Sequence, residues 1–136
     1  AQDYMSKRDS LQQSIGALNL LGQQIQTAKA QADTARVALK QPDDLKAVYN
    51  QVYDKIVTAP ANALMPAIPT TAGFVQDLVQ VGDFLQAQGN QVSFNNGGVQ
   101  FRTQQQATQY NTMMSNLVAK QQDLLNAQKT VLAVMQ

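Results

Sequence analysis

The stretch TAPANALMPAIPT, residues 58–70, places Pro60, Pro66 and Pro69 within ten positions. A proline inside a helix lacks a hydrogen-bond donor, and its ring crowds the carbonyl four residues back. The spacing therefore predicts an irregular crossover, either an ordered loop or a flexible tip. Leu64, Met65 and Ile68 give it enough apolar surface to pack on a neighbour. Read this way, the segment breaks the middle of the chain into short elements and leaves long helices at both ends as each other's partners.

On the N-terminal side, residues 4–40 read as one helix. Leu11, Leu18, Ile25, Ala32 and Leu39 recur every seven residues, and Ser14, Leu21, Ala28 and Ala35 follow three positions later. That is an a/d heptad seam, alanine-rich in its second half. Pro42 ends this helix and opens a second over 42–57. Asp43 and Asp44 stand where the helix dipole favours negative charge, and Leu45, Val48, Tyr49, Val52 and Ile56 form its apolar face.

On the C-terminal side, a third helix is predicted over 72–88, capped by Thr70 or Thr71. Phe74, Leu78, Val81 and Leu85 make its stripe, and Gly89 ends it in a left-handed conformation. QVSFNNGGVQF, residues 91–101, then alternates apolar and polar residues around Asn96-Gly97, which suits a two-residue type I′ turn. This register pairs Asn95 with Gly98, Phe94 with Val99 and Val92 with Phe101, and puts the four apolar side chains on one face. The last helix spans 103–135. Thr103 and Gln106 fit a capping box, and Tyr110, Leu117, Leu124 and Val131 repeat every seven residues. Met113, Met114 and Met135 widen that stripe as adaptable contacts.

The expected fold is mainly α: an antiparallel coiled-coil pair of long helices, two shorter helices and one β-hairpin, in a single domain over 1–136. Leu11, Leu18, Leu21 and Ile25 on the first helix, with Tyr110, Met114, Leu117, Leu124 and Val131 on the last, are the expected coiled-coil or oligomer contacts. Residues 42–102 form a middle lobe whose core is Phe74, Leu78, Val92, Phe94, Val99 and Phe101. Asp77 and Asp83 fall away from the third helix's stripe and are read as solvated.

Composition narrows the chemistry. Charged residues are 14% of the chain, while 23 of 136 residues are Gln; all nine acids are Asp. An amide-rich surface meets little electrostatic resistance to packing against copies of itself. The net charge is +1 and the basic residues are scattered, so no nucleic-acid stripe forms. No apolar run is long enough to span a membrane as a helix. With neither His nor Cys, the His-dependent nucleophile arrangements, disulfides and the common zinc sites are excluded. A calcium loop closing on Glu is excluded as well. No phosphate-binding glycine motif occurs. We therefore expect no enzyme, no catalytic or metal residues and no cofactor.

QQQATQYNTMMSNLVAKQQDLLNAQ, residues 104–128, resembles the C-terminal coiled-coil helix of type III secretion filament and needle-tip proteins, the EspA-like group. DFLQAQGNQVSFNNG, residues 83–97, is similar to their short middle element. The chain is shorter than those subunits and lacks their hydrophobic N-terminal segment. It also resembles the VirB- and Tra-type minor pilins of type IV secretion, Gln-rich bundles exported with a cleaved signal, which an Ala1-Gln2 start fits. Either resemblance implies an exported, extracellular, self-assembling structural component whose partners are its own copies and other appendage proteins. The alternatives are a phage virion or tail protein, and a helical small-molecule or lipid binder with a pocket between the third helix and the hairpin.

Overall fold

The first helix, α1, runs from Gln2 to Ala38. The structure, a computed structural model, describes residues 2–95 and 98–136. A short turn carries the chain into α2, Asp43–Tyr53, with Asp43 and Asp44 in its first turn. The backbone stays helical through a π turn over Asp54–Thr58 and enters α3, Ala59–Gln88, without a break. Strands β1, Val92–Asn95, and β2, Gly98–Phe101, form an antiparallel hairpin, and α4 spans Gln104–Met135.

Residues 58–70 are thus helical, not a crossover loop, and the third helix begins at Ala59, not after Thr70 or Thr71; its N-cap residue, Thr58, makes no side-chain capping bond. Each proline has a local accommodation. Pro60 lies in the first turn of α3, directly after the π turn. There the Ala59 N–H reaches back five residues to the Asp54 carbonyl. The wider turn relieves the crowding that an α turn would impose ahead of a proline ring. Pro66 and Pro69 lie on an exposed side of α3, where water can satisfy the carbonyls their missing N–H groups leave open. The Thr70 and Thr71 hydroxyls donate to the Pro66 and Ala67 carbonyls at 2.9 and 2.8 Å.

This continuity changes the architecture. The end helices do not pair with each other; α3 lies between them and packs along both. Tyr4, near the start of α1, meets Val79 and Asp83, near the end of α3. Lys120 in the middle of α4 meets Asp77. Both end helices therefore run antiparallel to α3 and parallel to one another, in a layer one helix thick. The mainly-α class with one small hairpin is as the sequence indicates, but the antiparallel coiled-coil pair becomes two interfaces sharing α3.

The hairpin has the predicted register: Val92 opposite Phe101, Phe94 opposite Val99, Asn95 opposite Gly98. Asn96 and Gly97, assigned above to a type I′ turn, lie outside the described residues. Gly89 ends α3 at φ 55°, ψ −120°, so the positive φ expected there is present, although the ψ is not that of a left-handed helix. Thr103 and Gln106 form the capping box, each side chain bonded to the other's backbone N–H at 3.2 Å. The Gln106 amide also donates to Gln88 at 2.7 Å and to Gln91, tying the root of α4 to the end of α3.

Candidate interaction surface

Burial in this layer is thin. Among the described residues the core is Ile15, Tyr53, Ala61, Ile68, Ala72, Val79, Val81 and Leu117, and no large side chain is completely enclosed. The chain exposes 9504 Å². A compact monomer of 14.8 kDa exposes about 7,000 Å². The functional question is therefore what the uncovered surface carries.

Polar clasps hold the layer together. At one end of α1, the Tyr4 hydroxyl donates to Asp83 Oδ1 at 2.6 Å, with the Val79 carbonyl at 3.0 Å as a second acceptor for the same proton. Arg8 reaches both Asp83 oxygens, at 2.8 and 3.3 Å. The Tyr4 ring lies directly over Gly82, where no side chain stands in its way. The Arg8 hydrogen bond, then that of Tyr4, holds the Asp83 carboxyl below its ordinary pKa. Burial, then the bond to Asp83, pushes the Tyr4 phenol up to about 12.

A second clasp repeats this chemistry toward the other end of α1. The Tyr53 hydroxyl donates to Asp33 at 2.6 Å, and Lys29 bonds the same carboxylate at 2.6 and 2.7 Å. The Arg36 guanidinium lies 4.5 Å from the centre of the Tyr53 ring. Lys29, then Tyr53, lowers the Asp33 pKa. Burial, followed by the bond to Asp33, raises that of Tyr53 to about 12. A third contact, Lys120 to Asp77 at 2.9 Å, bridges α3 and α4. Asp77 and Asp83 are thus interhelix partners, Asp77 largely withdrawn from solvent and Asp83 still 45% exposed. Among the described residues no group of carboxylates is arranged to hold a metal ion.

The two sides of the layer differ in composition. Along one side of α3 lie Asn62, Pro66, Pro69, Gln76 and Gln80, all exposed. Along the other lie Leu64, Ala67, Phe74 and Leu85, half-buried, with Leu78 at 37% exposure. Two grooves show which sides of α1 and α4 accompany each stripe. Met65 and Pro69 share a groove with Asn19, Gln23 and Gln26 of α1, so that flank of α1 belongs to the polar side. Leu21, Ala28 and Ala35 occupy the opposite flank of its α3 contact. Leu64 and Ala67 share a groove with Leu124, Val131 and Leu132 of α4. Leu132 aligns at heptad spacing with Val118 and Leu125, which places those exposed residues on the apolar side. Ile56, Pro60 and Leu64 step by four along the helix and carry the stripe into α2, where Leu45, Val48 and Val52 are about half exposed or more.

The predicted contacts divide accordingly. Leu11, Leu18 and Ile25 are half-buried on the α3 side of α1, as are Tyr110, Leu124 and Val131 on α4; Leu117 is 9% exposed. Met114 is half-buried. Leu21, at 46% exposure, is off the helix interface. The α1 interface instead adds residues four positions after Leu11, Leu18 and Ile25. Ile15 is 7% exposed and Gly22 approaches Ile68, while Lys29 enters the second clasp. In the middle lobe, Phe101 packs between Phe84 and Tyr110, with ring centres 5.9 and 5.2 Å apart. Phe74, Val92 and Val99 are half-buried. Phe94 is 70% exposed and is not core; it borders an open groove with Tyr4, Leu85 and Gly89.

No solved structure matches the chain. The uncharacterized protein YiaF of Escherichia coli strain K12 is 47% identical over 135 residues, 99% of this chain and 57% of the relative. The uncharacterized protein YiaF of Shigella flexneri matches with the same identity and coverage. The chain therefore spans 57% of the length of these curated relatives. The DUF3053 family, described as a protein of unknown function, matches residues 1–132. With that match over nearly its whole length, the chain belongs to the DUF3053 family.

Proposed function

We propose that this chain is a non-enzymatic structural module that works by being packed into a larger assembly. One observation carries the reading: a layer one helix thick with an apolar side and a polar side. Such a layer leaves apolar residues in water unless another surface covers it. The specific form we propose is a self-assembling subunit of an exported bacterial secretion appendage, as the filament and minor-pilin resemblances imply. The uncharged, Gln-rich surface supports close packing of many copies. Fractionation of cells expressing the tagged protein tests this form. The protein should appear at the cell surface or in the medium, in particles far larger than one chain; a soluble cytoplasmic monomer refutes it. A second reading, a binder of small apolar molecules, is favoured by the groove beside Phe94 and Leu85. Native mass spectrometry of freshly purified protein checks it: a mass equal to the chain alone counts against it.

A further inference from the structure

We infer that the apolar side of the helical layer is a docking face for a second copy of this chain, forming a two-fold dimer in which the layers stack. The inference rests on the structural-module reading above and specifies which face and which partner.

Its dimensions fit. Helix α3 has 30 residues and so is about 45 Å long. Three helices at 8–10 Å spacing give a width of about 27 Å. The face therefore offers on the order of 1,200 Å² per copy, above the ~800 Å² per partner of a standard stable interface. Stacking two such faces would cover about 2,400 Å² in total, within the range of obligate homodimers. Its composition fits as well. The α3 stripe from Leu64 to Leu85 and the α4 ridge Val118, Leu125 and Leu132 contain no charged residue. The α3 stripe and α4 ridge of one copy therefore bring no like charge to those of the other, as a self-complementary two-fold contact requires of its centre.

The chemistry favours a protein surface over a lipid one. Gln121 and Gln128 stand at heptad positions beside the α4 ridge. In acyl chains their amides would be stranded without partners; against a second helical layer they find amides of the same kind. A membrane-surface face would be flanked by several Lys and Arg, whereas the polar residues flanking this α4 ridge are mostly uncharged, with Lys129 the one basic residue among them.

Sizing by light scattering at about 100 µM, above the micromolar Kd of weak standard-size interfaces, reads the outcome directly. The wild-type chain is expected at twice its monomer mass. Val118→Asp with Leu125→Asp, at positions 58% and 44% exposed, should weaken the dimer about thirtyfold or more while keeping its helicity. Gln76→Asp with Gln80→Asp, on the polar side, should leave it dimeric. If the apolar-side variant loses helicity, the test moves to nitroxide labels on single cysteines, which the Cys-free sequence permits. A label at Leu78 should then couple to its copy at short range. A monomeric wild type, a dimer indifferent to the apolar-side variant, or binding to anionic lipid vesicles by a monomer overturns the inference. A monomer that still enters surface particles in the fractionation experiment removes this inference alone and leaves the appendage reading standing.

Discussion

At the scale of single residues, the Tyr4–Asp83–Arg8 clasp makes the fold sensitive to pH at both extremes. Asp83 binds its proton less readily when folded. Its contribution is therefore present above the unfolded carboxyl pKa, about 4, and is lost as pH falls through the lower folded value. The tyrosines have the opposite sign. Tyr4 and Tyr53 are raised from 10.0 to about 12. Their contribution is present below pH 10.0 and lost as pH rises toward 12. Thermal melts followed by circular dichroism should decline at both ends of the pH range. Because the Asp83 side chain is 45% exposed, Asp83→Asn should cost only about 0.5–1 kcal/mol at neutral pH, measured by urea unfolding, and should flatten the acid limb. Gly82→Ala tests the close approach beneath the Tyr4 ring. A methyl there overlaps the ring and should push the phenol off Asp83. The tyrosinate absorbance of that variant should then begin to rise nearer the ordinary pKa. Unchanged titration would show that the ring does not depend on Gly82.

At the scale of elements, the helix from Asp43 to Gln88 is continuous despite three prolines, and the interior two are costly. Proline in an exposed helix interior is about 3 kcal/mol less favourable than alanine. Pro66 and Pro69 are exposed and engage no interhelix clasp. Pro66→Ala and Pro69→Ala should each raise stability by about 1–3 kcal/mol, seen as a higher urea midpoint with an unchanged slope. A lower midpoint would mean that the backbone shape these prolines impose is needed for packing α1 and α4. Proline content reads locally as a break. The distant helices that hold the segment helical are not visible in residues 58–70. Register in the hairpin and capping of α4 were legible because both depend on residues a few positions apart: Phe94 with Val99, Thr103 with Gln106.

For the whole molecule, the layer predicts which apolar residues matter for folding. Leu117 and Ile15 are 9% and 7% exposed. A charge at either site should cost about 3–5 kcal/mol and abolish a cooperative melt. Leu21→Asp, at a residue 46% exposed, should leave monomer stability within about 0.5 kcal/mol. The sequence seam had treated Leu21 and Leu117 as equivalent. Equal loss of helicity in both variants would contradict the three-helix layer and restore direct pairing of α1 with α4.

The sequence by itself determined α1, α4, the end of α3 and the hairpin register, because heptad spacing, capping residues and strand alternation act over a few residues; the start of α3, across its prolines, it did not. It also showed that α1 and α4 each carry more apolar surface than one narrow seam. Tertiary structure alone decided which part of that surface is spent inside the chain. On α1, residues three and four positions after Leu11, Leu18 and Ile25 lie on opposite flanks of the same ridge, and both spacings fit a heptad. Packing against α3 chose the flank of Ile15 and Gly22. That left Leu21, Ala28 and Ala35 on the apolar side. No periodicity in α1 contains that choice, because it depends on where a second and a third helix come to lie.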